Sequence, residues 1–204
     1  MARTPSSFMS QGLLGLAVLI CGVQAAFAQS LDRLGLPGPL IFGDTSYALA
    51  WSAQPTPGYY KQEYVPAGQV PGKHDRMLLI ELLDNGTSVD AALATQVRWL
   101  NQRKGKDPVF NLAILKNPKT GETLLDFLIS DRGTDGRQIA EWNAYRYTPW
   151  QDNAGRKGVF LLAISRRAYG DDAITTFLSG LKPVRSGDID RLAKFQRLDA
   201  RPQR

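Results

Sequence analysis

Cysteine and histidine are nearly absent from this sequence. It contains one cysteine, Cys21, and one histidine, His74, among 204 residues. A single cysteine cannot form an intramolecular disulfide, and these two side chains fall short of the ligand set of a structural zinc site. A catalytic histidine would need a nucleophile and an orienting partner, which no motif supplies. We therefore predict no metal, no cofactor and no catalytic residue, and interpret His74 as a surface-loop residue.

Long hydrophobic runs are also missing, because the longest covers only residues 12–23. A membrane-spanning helix needs about 20 apolar residues. The run follows a short polar start that carries Arg3, and it ends in Ala26-Phe27-Ala28, which matches the A-x-A rule of signal peptidase. We predict a signal peptide over residues 1–28, cleavage between Ala28 and Gln29, and a periplasmic or secreted protein. An uncleaved anchor is the alternative.

Acidic residues are outnumbered, with 25 Lys and Arg against 19 Asp and Glu. Loss of Arg3 with the signal peptide would leave a net charge of +5. The basic residues are spread along the chain, except at the C-terminus, where we interpret residues 197–204 as a solvated basic tail. An exported protein meets little nucleic acid, so the sequence favours no nucleic-acid partner. It also indicates no stable membrane insertion after cleavage, and another envelope protein is the partner that we expect.

One domain is expected over residues 45–196, after a Gly- and Pro-rich lead-in at 29–44. Strand patterns cover residues 47–51, 59–65 and 76–83 before the first helix, and 109–116, 122–130, 137–147 and 157–168 after it. Short separators such as 117–121 predict antiparallel pairing of consecutive strands. The last two separators are residues 131–136 and a loop around 150–155.

Helical periodicity is clearest over residues 88–104, where Ser88 or Thr87 provides the N-cap. A second helix should begin at Asp171 or Asp172 and stop at Pro183, and a short third one should follow from Ser186. The predicted fold is therefore α+β: an antiparallel sheet of about six to seven strands with two or three helices laid on one face. A lipocalin-like barrel is the competing architecture.

Two sets of side chains are candidates for function. Asp126 and Glu141 lie on neighbouring predicted strands and would face each other if the paired residue numbers summed to 267; a register shifted by one would separate them. The second set is aromatic and basic, and alternation divides it between the two faces of the sheet. Such residues suit a protein or carbohydrate contact, although they could equally pack beneath the helices. Its members are Trp142, Tyr145, Arg146, Tyr147, Trp150, Arg166 and Arg167.

The segments at residues 59–69, 141–147 and 164–170 resemble those of uncharacterised bacterial exported proteins. The order of elements is similar to the Mog1/PsbP-like sandwich, which includes small exported proteins of the DcrB type. Neither resemblance implies an activity. Our leading hypothesis is a non-enzymatic periplasmic binding or accessory protein that contacts another envelope protein through its sheet or strand edges. The alternatives are a small hydrolase that uses Asp126 and Glu141, and a carrier of a small apolar ligand.

Overall fold

The computed structural model describes residues 30–203, so the predicted signal peptide and its cleavage site between Ala28 and Gln29 lie outside the described residues. Within them the order of elements is four strands, a helix, four strands and a second helix. The elements are β1 (Leu40–Phe42), β2 (Thr45–Thr56), β3 (Tyr59–Val65), β4 (Arg76–Leu83), α1 (Val89–Asn101), β5 (Asn111–Asn117), β6 (Glu122–Arg132), β7 (Gln138–Gln151), β8 (Lys157–Tyr169) and α2 (Asp171–Lys194).

All eight strands join one antiparallel sheet in the order β1-β2-β3-β4-β8-β7-β6-β5. Each group of four consecutive strands pairs as a meander through short turns, and the two groups meet where β4 pairs with β8. The predicted α+β sandwich of six to seven strands is therefore wrong, because the sheet is larger, curves as a half-barrel and dominates the structure. The missing strand was β1, whose three residues Leu40–Phe42 are too short to show a periodic pattern.

The two helices pack on opposite faces of the sheet, whereas we expected them on one face. On one side, α1 buries Leu93 and Leu100 against a cluster that includes Leu125 and Phe127. On the other side, α2 buries Leu181 and Leu192 against Trp142, Ile164 and their neighbours. Both faces of the central strands are apolar, so each face needs its own cover. We call these the α1 face and the α2 face.

Helix α2 continues through Pro183, where we predicted a break. A proline inside a helix removes one hydrogen bond and frees the carbonyl four residues earlier, here that of Ser179. Both Pro183 and Ser179 are exposed, so water can satisfy that carbonyl. Beyond the proline, Asp188 and Leu192 are fully buried against the sheet. This packing keeps the second half of the helix in line. No helix within residues 30–203 has both the length and the apolar character needed to cross a bilayer.

The lead-in segment and the C-terminal segment lie beside each other over the α2 face. Leu34 is fully buried, and its backbone N–H and the N–H of Leu36 both donate to Asp32 Oδ1 at 3.0 Å. Arg201 N–H donates to the carbonyl of Leu34 at 2.7 Å. Nearer the N-terminal end of the lead-in, the Ser30 hydroxyl donates to the carbonyl of Ala50 at 2.5 Å. These contacts join the lead-in to the C-terminal segment and to β2.

Candidate functional site

The register between β6 and β7 separates the two carboxylates that we considered as an acid/base pair. Asp126 pairs with Ala144, and Glu141 pairs with Ile129, so the paired residue numbers sum to 270 rather than 267. An odd shift of register turns one side chain to the other face. Asp126 therefore lies on the α2 face and Glu141 on the α1 face. A hydrolase that uses both carboxylates at one site does not fit this geometry.

The aromatic and basic set also divides between the faces, as strand alternation requires. Trp142, Arg146, Trp150 and Arg166 lie on the α2 face, whereas Tyr145, Tyr147 and Arg167 lie on the α1 face. The set is consequently not one contact surface. Its two halves have different surroundings.

The arginines of the α2 face attach helix α2 to the sheet. Arg146 donates to the carbonyls of Leu192 and Phe195 at 3.1 and 2.8 Å, the end of the helix where carbonyls lack helical partners. Arg166 forms an ion pair of 2.5 Å with Asp188, which is completely buried. Both guanidinium groups are thus engaged within the fold.

The aromatic residues of the α2 face are buried beside these ion pairs. Trp142 is 1% exposed, and its Nε1 donates to Asp126 Oδ1 at 3.3 Å. Arg185 of α2 forms an ion pair of 2.9 Å with the same carboxylate. Trp150 is likewise buried, with the guanidinium carbon of Arg156 at 5.8 Å from its ring centroid. A buried carboxylate is stable only when such partners surround it. We therefore assign this face a structural role.

The α1 face contains an open cleft of about 480 Å³ between helix α1 and the strands β6, β7 and β8. Small-molecule sites are typically concave, with volumes of about 300–1,000 Å³ and a few convergent polar groups. We call this space the α1 cleft. Its lining residues are Thr95, Gln96, Trp99, Phe127, Ile129, Glu141, Asn143, Tyr145 and Arg167.

A charge pair forms the polar wall of the α1 cleft. Arg167 Nε donates to Glu141 Oε2 at 2.7 Å, and the two residues are directly paired across β7 and β8. The Ser165 hydroxyl donates to the other oxygen, Glu141 Oε1, at 2.8 Å. Because the two charges neutralise each other, this wall offers hydrogen-bonding atoms without a net charge.

Aromatic rings form the rest of the wall. Trp99 of α1 is 46% exposed, and the Arg103 guanidinium carbon lies 5.1 Å from its ring centroid. Arg103 also donates to the carbonyl of Ser130 at 2.8 Å, which ties the end of α1 to β6. Tyr145 packs edge-on against Phe127, with 5.1 Å between the ring centroids. The cleft thus presents flat apolar surfaces next to polar groups.

Burial determines the protonation states of two side chains, Tyr145 in the cleft and His74. Burial, reinforced by the charges of Glu81 and Glu141, raises the pKa of Tyr145 well above its usual 10, so its hydroxyl remains a donor. His74, which we expected on the surface, is only 2% exposed. Burial, together with the positive charge of Arg167, lowers the pKa of His74 to about 4. Its ring is therefore neutral at physiological pH.

Two further carboxylates lie on the α1 face, outside the cleft. Glu81 on β4 forms an ion pair of 2.9 Å with Lys61 on β3. Burial raises the pKa of Glu63, although the charges of Lys61 and Arg167 oppose the shift. Across residues 30–203 no three acidic, histidine or cysteine side chains come together as a metal site would require.

Sequence reasoning identified Tyr145, Arg167 and Glu141 as candidates but missed the contribution of helix α1. Trp99 lies outside the apolar stripe of that helix, and an exposed large aromatic residue on a helix was the signal that could have identified it. Asn143 is an alternate residue of β7 between Glu141 and Tyr145, so strand alternation could have placed it on their face.

Comparison with known proteins gives a family and no functional relative. A family model matches residues 34–197, and the chain therefore belongs to that family, which is uncharacterised. Neither the curated proteins nor the solved structures yielded a match. The function must accordingly be argued from the site itself.

Proposed function

We propose that this protein is an exported, non-enzymatic binding protein of the cell envelope, and that the α1 cleft holds a neutral sugar unit of an envelope component. The observation that carries the proposal is the composition of the cleft: exposed aromatic surface next to polar groups whose charges cancel. Sugars combine hydroxyl groups with an apolar face of C–H groups, so they suit a wall of this kind.

Each part of the cleft has a role in this binding mode. The ring of Trp99 offers a face on which a sugar can stack, and Tyr145 adds a hydroxyl donor. The partly exposed amide of Gln96 can donate and accept hydrogen bonds, as sugar hydroxyls do, whereas Asn143 lines the cleft but is only 2% exposed. The Arg167–Glu141 pair is neutral overall, which gives no advantage to a strongly charged ligand.

Titration with neutral disaccharides tests the proposal. We would use maltose, cellobiose and N,N′-diacetylchitobiose as probes, and follow binding by ligand-observed NMR and calorimetry. Trp99→Ala should raise the dissociation constant at least about fivefold, if stacking of a sugar is comparable with the stacking of a nucleobase on an aromatic side chain, which contributes about 1–3 kcal/mol.

The matched control is Trp51→Ala. Trp51 is 40% exposed, close to the 46% of Trp99, but it lies on β2, four strands from β7. It should leave the affinity unchanged. Absence of binding by all three probes at millimolar concentration, or equal losses in the two variants, would contradict the proposal.

Export is tested separately, because the signal lies outside the described residues. The chain recovered from the periplasm or the medium should begin at Gln29 by intact-mass analysis. A chain that stays in the cytoplasm and retains Met1 would contradict export and leave the chemistry of the α1 cleft unaffected.

A further inference from the structure

The two edges of the sheet differ in how they are protected. At one edge the terminal strand β1 is only three residues long, and the lead-in segment hydrogen-bonds to the neighbouring strand β2 through Ser30 and Ser52. The opposite edge, β5, pairs only with β6 among the described residues. Unpaired N–H and C=O groups along an edge strand are a template for pairing with another strand.

Strand β5 has only one of the features that normally prevent such pairing, the lysine Lys116. Its seven residues follow one register against β6 without a bulge, and none is proline. Ile114 is 39% exposed and Leu115 is 57% exposed. The one charged side chain of β5, Lys116, forms an ion pair of 2.7 Å with Asp90 on α1, which compensates its charge. The edge is therefore regular, apolar and accessible.

We propose that β5 pairs antiparallel with β5 of a second copy of this chain, about a two-fold axis at Ile114. Strand β5 reads Asn-Leu-Ala-Ile-Leu-Lys-Asn and is close to self-complementary in this register. Ile114 meets Ile114 of the partner subunit, and Ala113 meets the partner's Leu115. A two-fold axis perpendicular to the sheet keeps each face on its own side.

The side chains of this pairing are compatible on both faces. On the α1 face, Ile114 packs against its symmetry mate, and Leu112 lies opposite the aliphatic stem of the partner's Lys116. On the α2 face, the small Ala113 leaves room for the partner's Leu115. Like charges do not face each other, as they would if the axis passed through Lys116. The two eight-stranded sheets then become one continuous sheet.

Sedimentation velocity of the full chain over a range of concentrations tests this dimer. We expect a monomer–dimer equilibrium, and Ile114→Lys should weaken it at least about tenfold by placing two positive charges opposite each other. Ile41→Lys is the matched control, since Ile41 is an exposed isoleucine on the three-residue strand β1, at the opposite edge of the sheet. A monomer at every concentration up to about 1 mM, or equal dimerisation by Ile114→Lys and the wild type, overturns the proposal. In that case the edge is left to a strand of a different protein.

A disulfide test reports the register directly. In a Cys21→Ser background, Ile114→Cys brings two thiols together across the axis, because directly opposed Cα atoms in antiparallel strands lie about 4.5–5.5 Å apart. Mild oxidation should then give a covalent dimer on a non-reducing gel, and Ile41→Cys should not. Equal cross-linking of the two variants overturns the proposed axis.

Discussion

Acidification should destabilise this protein through its single histidine, His74. The imidazole is 2% exposed, and neither ring nitrogen has a hydrogen-bond partner among the described residues. Burial and the charge of Arg167, opposed by Glu141 and Asp75, lower its pKa from 6.5 to about 4. The folded chain therefore keeps the ring neutral down to about pH 4, whereas the unfolded chain protonates it near pH 6.5.

Between these two pH values the unfolded state binds one proton more than the folded state. The free energy of unfolding consequently falls as the pH falls, with a slope from this group of up to about 1.4 kcal/mol per pH unit. A pKa of about 4 instead of 6.5 corresponds to a loss of at most about 3 kcal/mol once the pH has passed through the whole interval. The slope from this group falls above pH 6.5, the pKa of the unfolded chain, and is negligible above about pH 7.5.

Urea denaturation of the wild type and of His74→Phe measures this contribution. Phenylalanine keeps an aromatic ring of similar size but cannot bind a proton. Carboxylates titrate in both chains, so the difference between the two free energies of unfolding isolates His74. That difference should shift in favour of the variant by about 3 kcal/mol between pH 7 and pH 4. Parallel stability curves would refute the reasoning, and His74→Gln gives a second chain in which the same shift is required.

Two further predictions concern packing and use the same denaturation assay. Asp188→Asn leaves the half-buried Arg166 without its 2.5 Å counter-ion, so we expect a loss of about 3 kcal/mol; a loss below about 1 kcal/mol would mean that the pair is dispensable. In Gly158→Ala the added Cβ would lie 1.7 Å from the carbonyl oxygen of Leu83, so the strands must separate and stability should fall by about 2 kcal/mol or more. Gly180→Ala is the control: it meets nothing within 4 Å, lies inside α2, and should be neutral or stabilising by up to about 1 kcal/mol. Equal losses in the two alanine variants would contradict this reading of Gly158.

Local patterns were sufficient to predict most of the elements. Strands β3 and β4 have the predicted bounds, because a turn rich in Pro or Gly closes each side of β3 and an Asp-Asn-Gly turn ends β4. Helix α1 begins after the predicted N-cap, Ser88, whose side chain accepts from Ala91 N–H at 3.2 Å. The four strands after α1 pair consecutively, as their short separators indicated.

Predictions failed where long-range packing outweighs a local signal. Strand β7 extends to Gln151 although it contains Pro149, and α2 continues through Pro183. In both cases, contacts beyond the proline keep the element regular. Strand β8 pairs with β7 as far as Gln151, and the ion pair of Asp188 with Arg166 holds the second half of α2 against the sheet. A proline predicts a break only when nothing beyond it is held in place.

The site could be predicted only in part, because strand alternation gives the two groups of side chains but not which group is free. Both groups contain aromatic residues and arginine, and their sequence signals are equivalent. The difference arises from the helices. Helix α2 supplies Asp188 and its terminal carbonyls, which bind Arg166 and Arg146, and it supplies Arg185, which pairs with Asp126. Helix α1 supplies Trp99 and Gln96, which leave the opposing strand residues facing an open cleft. Both faces contain paired charges, but the Arg167–Glu141 pair borders an open cleft that a ligand can enter, whereas on the α2 face a ligand would first have to displace helix α2.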